Sequence, residues 1–192
     1  MKSFIKKIFL IYFLIYFFYP TNIFAKETWI LDKELSTINF ELPVLLANNV
    51  KGSFQLVKGL IEIDLDNKIN NKAIFSIDIK SVEMNYKKYR TLLLSNIFFN
   101  SNKFPIALVD TKKFSYQNEG EINLNVELSL KGISNSVPLT LEIIQLTKEL
   151  VQIKGSVEFS RTAFNIGTNQ WKNTSILKDV ANIDLNLFLF KK

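Results

Sequence analysis

Residues 121–131 read Glu-Ile-Asn-Leu-Asn-Val-Glu-Leu-Ser-Leu-Lys, with polar and apolar positions alternating without a miss. Successive side chains of a β-strand point to opposite faces. Ile122, Leu124, Val126, Leu128 and Leu130 therefore form one apolar row, and Asn123, Asn125 and Glu127 stand on the other side. What the apolar row faces decides the fold: a packed core, an internal cavity, or membrane lipid outside a barrel. The same period of two recurs at Ile38, Phe40 and Leu42, at Val50, Gly52 and Phe54, and at Ile61, Ile63 and Leu65. After polar turn residues it resumes at Ala73, Phe75, Ile77 and Ile79. Further strands are expected over 106–111, 137–143, 151–159 and 181–189, about nine in all, joined mostly by hairpin turns. No long helical period interrupts them, so the fold class is all-β, a barrel or a sandwich. The exception lies between Asn85 and Phe99, where Asn85 is placed to cap a short helix with Tyr86, Tyr89 and Leu93 on one face.

The first 25 residues read as a targeting segment. Lys2, Lys6 and Lys7 precede an apolar run from Ile8 to Phe18 that is too short to span a bilayer as a helix, and Ala25 offers a cleavage position. The expected organisation is a signal peptide over 1–25 and a single domain over 26–192, exported to the periplasm. The formal charge of +6 loses the leader's three lysines and falls to +3, too little to suggest a nucleic-acid partner.

The chain has no cysteine and no histidine. Disulfides, a lipid-attachment cysteine, Ser-His-Asp and Cys-His nucleophiles and His/Cys zinc sites are all absent. No catalytic residue, metal ligand or cofactor is expected. Of the 24 basic residues only Arg90 and Arg161 are arginine. A lysine-rich chain keeps arginine where its planar five-donor fork is needed, either for a phosphate or for a structural contact.

The ordered motifs of the chain resemble the YceI-like polyisoprenoid-binding proteins. They begin with Trp29-Ile30-Leu31-Asp32 and Ser36-Thr37-Ile38-Asn39-Phe40 and continue through Val50-Lys51-Gly52-Ser53-Phe54. Arg90 with Leu94 and Phe99 ahead of Lys103-Phe104-Pro105 comes next, then Leu128-Ser129-Leu130-Lys131-Gly132-Ile133-Ser134 and Val137-Pro138-Leu139, and finally residues 160–167 from Ser160-Arg161 to Gly167. The chain departs from the family pattern at Val44, where a histidine is usual, and at Thr91, where an aspartate follows the arginine. The resemblance implies a lipocalin-like antiparallel β-barrel of about eight strands, with the short helix on one end. It also implies an isoprenoid or other amphiphilic lipid, such as a quinone tail or a polyprenyl phosphate, held inside.

The candidate cavity residues are Phe40, Leu42, Phe54, Phe75, Ile77, Leu124, Val126, Leu128, Leu141, Ile153, Val157, Phe159 and Leu185, all on the apolar phase of their strands. Arg90, Arg161 and Trp171 are the candidate polar mouth or head-group site. Glu62 and Asp64 share a polar strand face and read as solvated charges. Transient membrane contact and a homodimer are open partner states. Two rival readings remain at the level of sequence. Alternation alone also suits a small integral outer-membrane barrel. An enzyme acting on a lipophilic substrate would need Asp, Glu, Lys or Tyr as its base, and no such cluster stands out.

Overall fold

The structure, a computed structural model, describes residues 27–44, 47–66, 68–117 and 120–192; of residues 42–44 and 47–49 it describes the backbone alone. The leader and its cleavage position lie outside the described residues. Ten strands follow one another: β1 (Thr28–Val44), β2 (Ala47–Phe54), β3 (Val57–Glu62), β4 (Asn71–Asp78), β5 (Val82–Met84), β6 (Ile106–Phe114), β7 (Glu121–Leu130), β8 (Ile133–Gln145), β9 (Leu150–Ser160) and β10 (Val180–Lys191). Helix α1 (Lys87–Leu94) separates β5 from β6.

Neighbouring strands run antiparallel, and β1 pairs with β10, so the sheet closes on itself and keeps almost no free edge. β1 is long enough to serve two neighbours on its other side. Thr28 and Trp29 pair with Glu62 and Ile61 of β3, whereas Ile38 to Val44 pair with β2. β2 and β3 thus act as one bent strand, and β4 and β5 as another. The result is a closed eight-stranded up-and-down barrel with one short helix.

The opening alternation points inward. On β7, Ile122, Val126, Leu128 and Leu130 are buried and Leu124 is half-buried, while Glu121, Asn123, Asn125 and Glu127 are exposed. Charged and amide side chains at mid-strand on the outer face are costly in hydrocarbon, so this outer face suits water rather than the lipid-facing band of an outer-membrane barrel.

Three local departures from the sequence expectation have physical causes. β1 begins at Thr28 rather than near Ile38, because a bulge between Asp32 and Thr37 breaks the period; Asp32 Oδ1 caps it by accepting the Glu34 and Leu35 amides at 2.8 and 3.0 Å. β5 is three residues long and shows no alternation of its own. The helix starts at Lys87 with Tyr86 at its N-cap, and no side chain caps it. Asn85 instead extends the β2–β5 ladder, accepting the Lys51 amide on Oδ1 at 3.2 Å and donating its own N–H to the Lys51 carbonyl at 3.3 Å.

The two barrel ends differ. The start of β1, the end of β10 and the β3–β4, β6–β7 and β8–β9 connections gather at one end, where Trp29, Ile61, Val151 and Leu189 are each at most 1% exposed and fill the barrel solidly. Trp29 donates its indole N–H to the Ile63 carbonyl at 3.3 Å, so the polar edge of the ring is satisfied inside the plug. Helix α1, the β7–β8 turn and the β9–β10 connection gather at the other end.

The wall has one weak seam. The β6–β7 ladder holds only Leu108↔Ser129, Val109↔Leu128 and Asp110↔Glu127, and below these the backbone bulges at Lys112 (φ 55°). Lys112 Nζ bridges Asp110 and Glu127 at 3.2 and 3.1 Å across that point.

Candidate functional site

Above the Trp29 plug the barrel is hollow, because inward side chains from every strand group stop short of the axis. The central cavity has a volume of about 110 Å³. Eight of the thirteen expected residues line it: Phe54, Phe75, Ile77, Val126, Leu128, Val157, Phe159 and Leu185. Glycines opposite two aromatic residues shape the wall. A Cβ on Gly52, the cross-strand partner of Phe40, would overlap the Phe40 ring, and one on Gly59 would stand 2.8 Å from the ring of its partner Phe75. Both rings lie across bare backbone, a place that a side chain would otherwise fill.

The remaining expected residues lie elsewhere. Phe40 lines a second cavity of about 50 Å³ beneath α1. Leu124, Leu141 and Ile153 do not line the central cavity and belong to or pack against the hydrophobic core, with Ile153 paired to Ile143 and Leu187, and Leu141 to Ile122 and Gly155. The side chain of Leu42 lies outside the described residues. Ile38, Ile79, Leu130, Val137, Leu139, Ile183 and Leu187 also line the central cavity, and the alternation could have nominated them. Phe99 lines it as well, from the turn after α1, and no periodic signal marks it.

Thr111 is the single polar side chain of the central lining, and the β6 bulge consumes its hydroxyl. Its Oγ1 accepts the Ala73 N–H at 2.9 Å and reaches the Lys112 carbonyl at 2.9 Å. No acid, base or charged group lines this cavity, which therefore offers a solvent for hydrocarbon and little else.

The two arginines are engaged with backbone. Arg161 is 3% exposed and reaches the α1 end through residues 161–179, the β9–β10 connection. Its Nε donates to the Lys178 carbonyl at 2.8 Å, Nη2 to Leu177 at 2.7 Å and Nη1 to Ile166 at 2.8 Å, so one fork clamps both arms of that loop. Burial pushes its pKa down, opposed by the charge of Asp179. Asp179 itself is held below the usual carboxylate range. Its partial burial acts upward, but hydrogen bonds from Ser160 and Thr162 and the Arg161 charge outweigh it. Arg90 donates Nε to the Val82 carbonyl at 2.7 Å and Nη2 to Lys80 at 2.8 Å, which staples α1 to the strand below. Trp171 is half-buried, its ring edge-on to Phe98 at 5.8 Å over the second cavity.

Lys131, quoted in the motifs but given no role there, joins this end together. Its Nζ donates to the carbonyls of Asn96, Ile97 and Asn165 at 3.1, 3.4 and 2.7 Å, and burial lowers its pKa. The β7–β8 turn, the turn after α1 and the β9–β10 connection thereby share one ammonium.

A family model for the YceI-like domain matches residues 29–189, which is the barrel from Trp29 to Leu189. The chain belongs to the YceI-like family. Among solved structures, this YceI-like domain is similar to BcnA of Burkholderia cenocepacia, with a TM-score of 0.76 at 22% identity over 82% of this chain and 98% of that one. A polyisoprenoid binding domain from Saccharophagus degradans gives 0.68 at 14% identity, covering 85% and 98%. The YCEI protein of Campylobacter jejuni gives 0.67 at 24% identity, covering 77% and 88%. A UPF0312 protein of Vibrio vulnificus is 23% identical over 109 residues, 57% of this YceI-like domain's chain and 58% of that relative's length.

Proposed function

We propose that this YceI-like domain is exported to the periplasm as a soluble binding protein. Its apolar bore holds the chain of an isoprenoid or similar amphiphile, with the polar end toward α1, for transport, storage or sensing. The observation that carries the proposal is the central lining, in which the one hydroxyl is already bonded and every other side chain is apolar. Burying a methylene there gains roughly 0.8 kcal/mol, so affinity accumulates without polar chemistry. The Saccharophagus degradans domain of like fold, described as polyisoprenoid binding, supports the ligand class. The positively charged, apolar leader supports export. A binding role is favoured over catalysis because a base or nucleophile would have to act from a wall that carries neither.

The test is to release the periplasmic fraction without detergent, purify the protein and analyse its organic extract by mass spectrometry. One bound amphiphile per protein is the expected result. Recovery only with the outer membrane, or a protein that comes out empty and takes up no prenyl or acyl chain, would sink the proposal.

A further inference from the structure

The outer face of the barrel is not uniform. On β7 it is polar throughout, but where β4, β3, β1, β10 and β9 pass the Trp29 plug it is apolar. On that side Ile74 pairs with Leu60, Ile30 with Phe190, and Phe190 with Leu150. Ile30 and Leu60 each stand next to the Trp29↔Ile61 pair, which joins them into one row over five adjacent strands. At about 4.8 Å per strand the row is about 19 Å long. Leu60, Ile30 and Phe190 are 54%, 53% and 41% exposed, and Phe188 widens the row on β10. The sheet here is apolar on both faces, as Trp29-Ile30-Leu31 and Leu187-Phe188-Leu189-Phe190 spell out in sequence. Continuous apolar runs belong to strands covered on both faces, and among the described residues only the inner face is covered.

The surroundings of this band point to its occupant. Charges beside it are already matched across strands: Lys191 pairs with Glu27, and Glu62 stands opposite Lys72. Its six side chains, half of them partly buried, offer much less than the roughly 800 Å² that each partner of a stable dimer contributes. The band is also shallow. Outward positions of β10 turn polar again at Asn186, Asp184 and Asn182, so it cannot serve as the belt of a spanning barrel. Glu27 follows the end of the leader's apolar run, Phe18, by nine residues, about 30 Å of extended chain. A leader engaged with a bilayer during the export proposed above therefore leaves Ile30 within reach of lipid. We infer that this band docks the barrel side-on against the surface of a phospholipid bilayer, by burial of apolar side chains and without spanning it. The contact is made by the outside of the wall and is independent of what the bore holds.

Flotation of the purified protein with phosphatidylcholine vesicles tests it. The protein should float with them, and equally well when phosphatidylglycerol is included or the salt concentration is raised, because the attraction is apolar. Ile30→Ser combined with Phe190→Ser should lower the partition at least about tenfold, as two exposed apolar side chains no longer enter lipid. Leu60→Ser, on another strand, reads the same contact if that double variant has a lowered melting temperature. Leu108→Ser is the control. Leu108 is 46% exposed, but its neighbours on the outer face are Ser76 and Ser129, and its loss should leave the partition unchanged. A wild type that stays out of the vesicle fraction, or band variants that float as it does, would overturn the docking. So would flotation that requires phosphatidylglycerol and disappears in salt, or a wild-type dimer that takes up no vesicle and that the band variants dissociate.

Discussion

Arg161 shows how a single side chain can replace a small core. Its guanidinium occupies the centre of the β9–β10 connection, and the carbonyls of Ile166, Leu177 and Lys178 converge on it. A lysine carries the charge but has no fork, and it would leave at least one or two of these buried carbonyls without a donor. Each costs about 1–3 kcal/mol, so Arg161→Lys should lose about 2–4 kcal/mol of unfolding free energy in urea titration. A loss within the error of that measurement would show that the loop holds itself. Asp179 gives the same cluster an acid dependence. Its native pKa lies below its unfolded value of about 3.9, so its contribution is fully present above that value and is lost as pH falls through the native pKa. Melting temperature measured from pH 6 down to pH 2 should therefore fall less steeply in Asp179→Asn than in the wild type. Equal slopes would remove Asp179 from the account.

At the level of elements, the β6–β7 seam is the place where the barrel wall is thinnest in hydrogen bonds. Three residue pairs hold it, against ten or more in the β7–β8 and β9–β10 ladders. The amides of β7 that point toward β6 below Glu127 should exchange with deuterium orders of magnitude faster than those that point toward β8, as read by NMR. Equal protection on both edges would contradict the seam. The elements also show what strict alternation encodes. Parity separated inside from outside on β7, β8 and β9, because a one-residue slip would expose the whole apolar row. Depth along the strand has no such signal. Leu124, Leu141 and Ile153 share the phase of Val126, Leu139 and Val157 and yet stand off the cavity, since only the three-dimensional stagger of strands decides which rung meets the hollow. β5 and the Tyr86 cap were illegible for a different reason: their geometry is imposed by pairing with β2 rather than by local sequence.

On the scale of the whole molecule, one half of the barrel is packed like an ordinary core and the other half is a lined void under a tied roof. The roof depends on Arg90, Lys131 and Arg161, each of which donates to backbone carbonyls. That explains why the motif positions looked chemical in the sequence: cations that gather carbonyls and cations that gather phosphate use the same donors. The sequence reading groups Arg90 and Arg161, with Trp171, as a candidate polar mouth and gives Lys131 no role; the structure shows that the donors of all three cations meet backbone carbonyls.

The pairing of β1 with β10 also fixes an order of events in time. A ribosome makes β1 well before β10, yet these strands lie side by side, the Lys192 N–H bonds to the Thr28 carbonyl, and Lys191 forms an ion pair with Glu27. Until β10 is in place, β1 and β9 each present an open edge along the pairings that β10 makes. The barrel wall therefore closes only once β10 has paired with both β9 and β1.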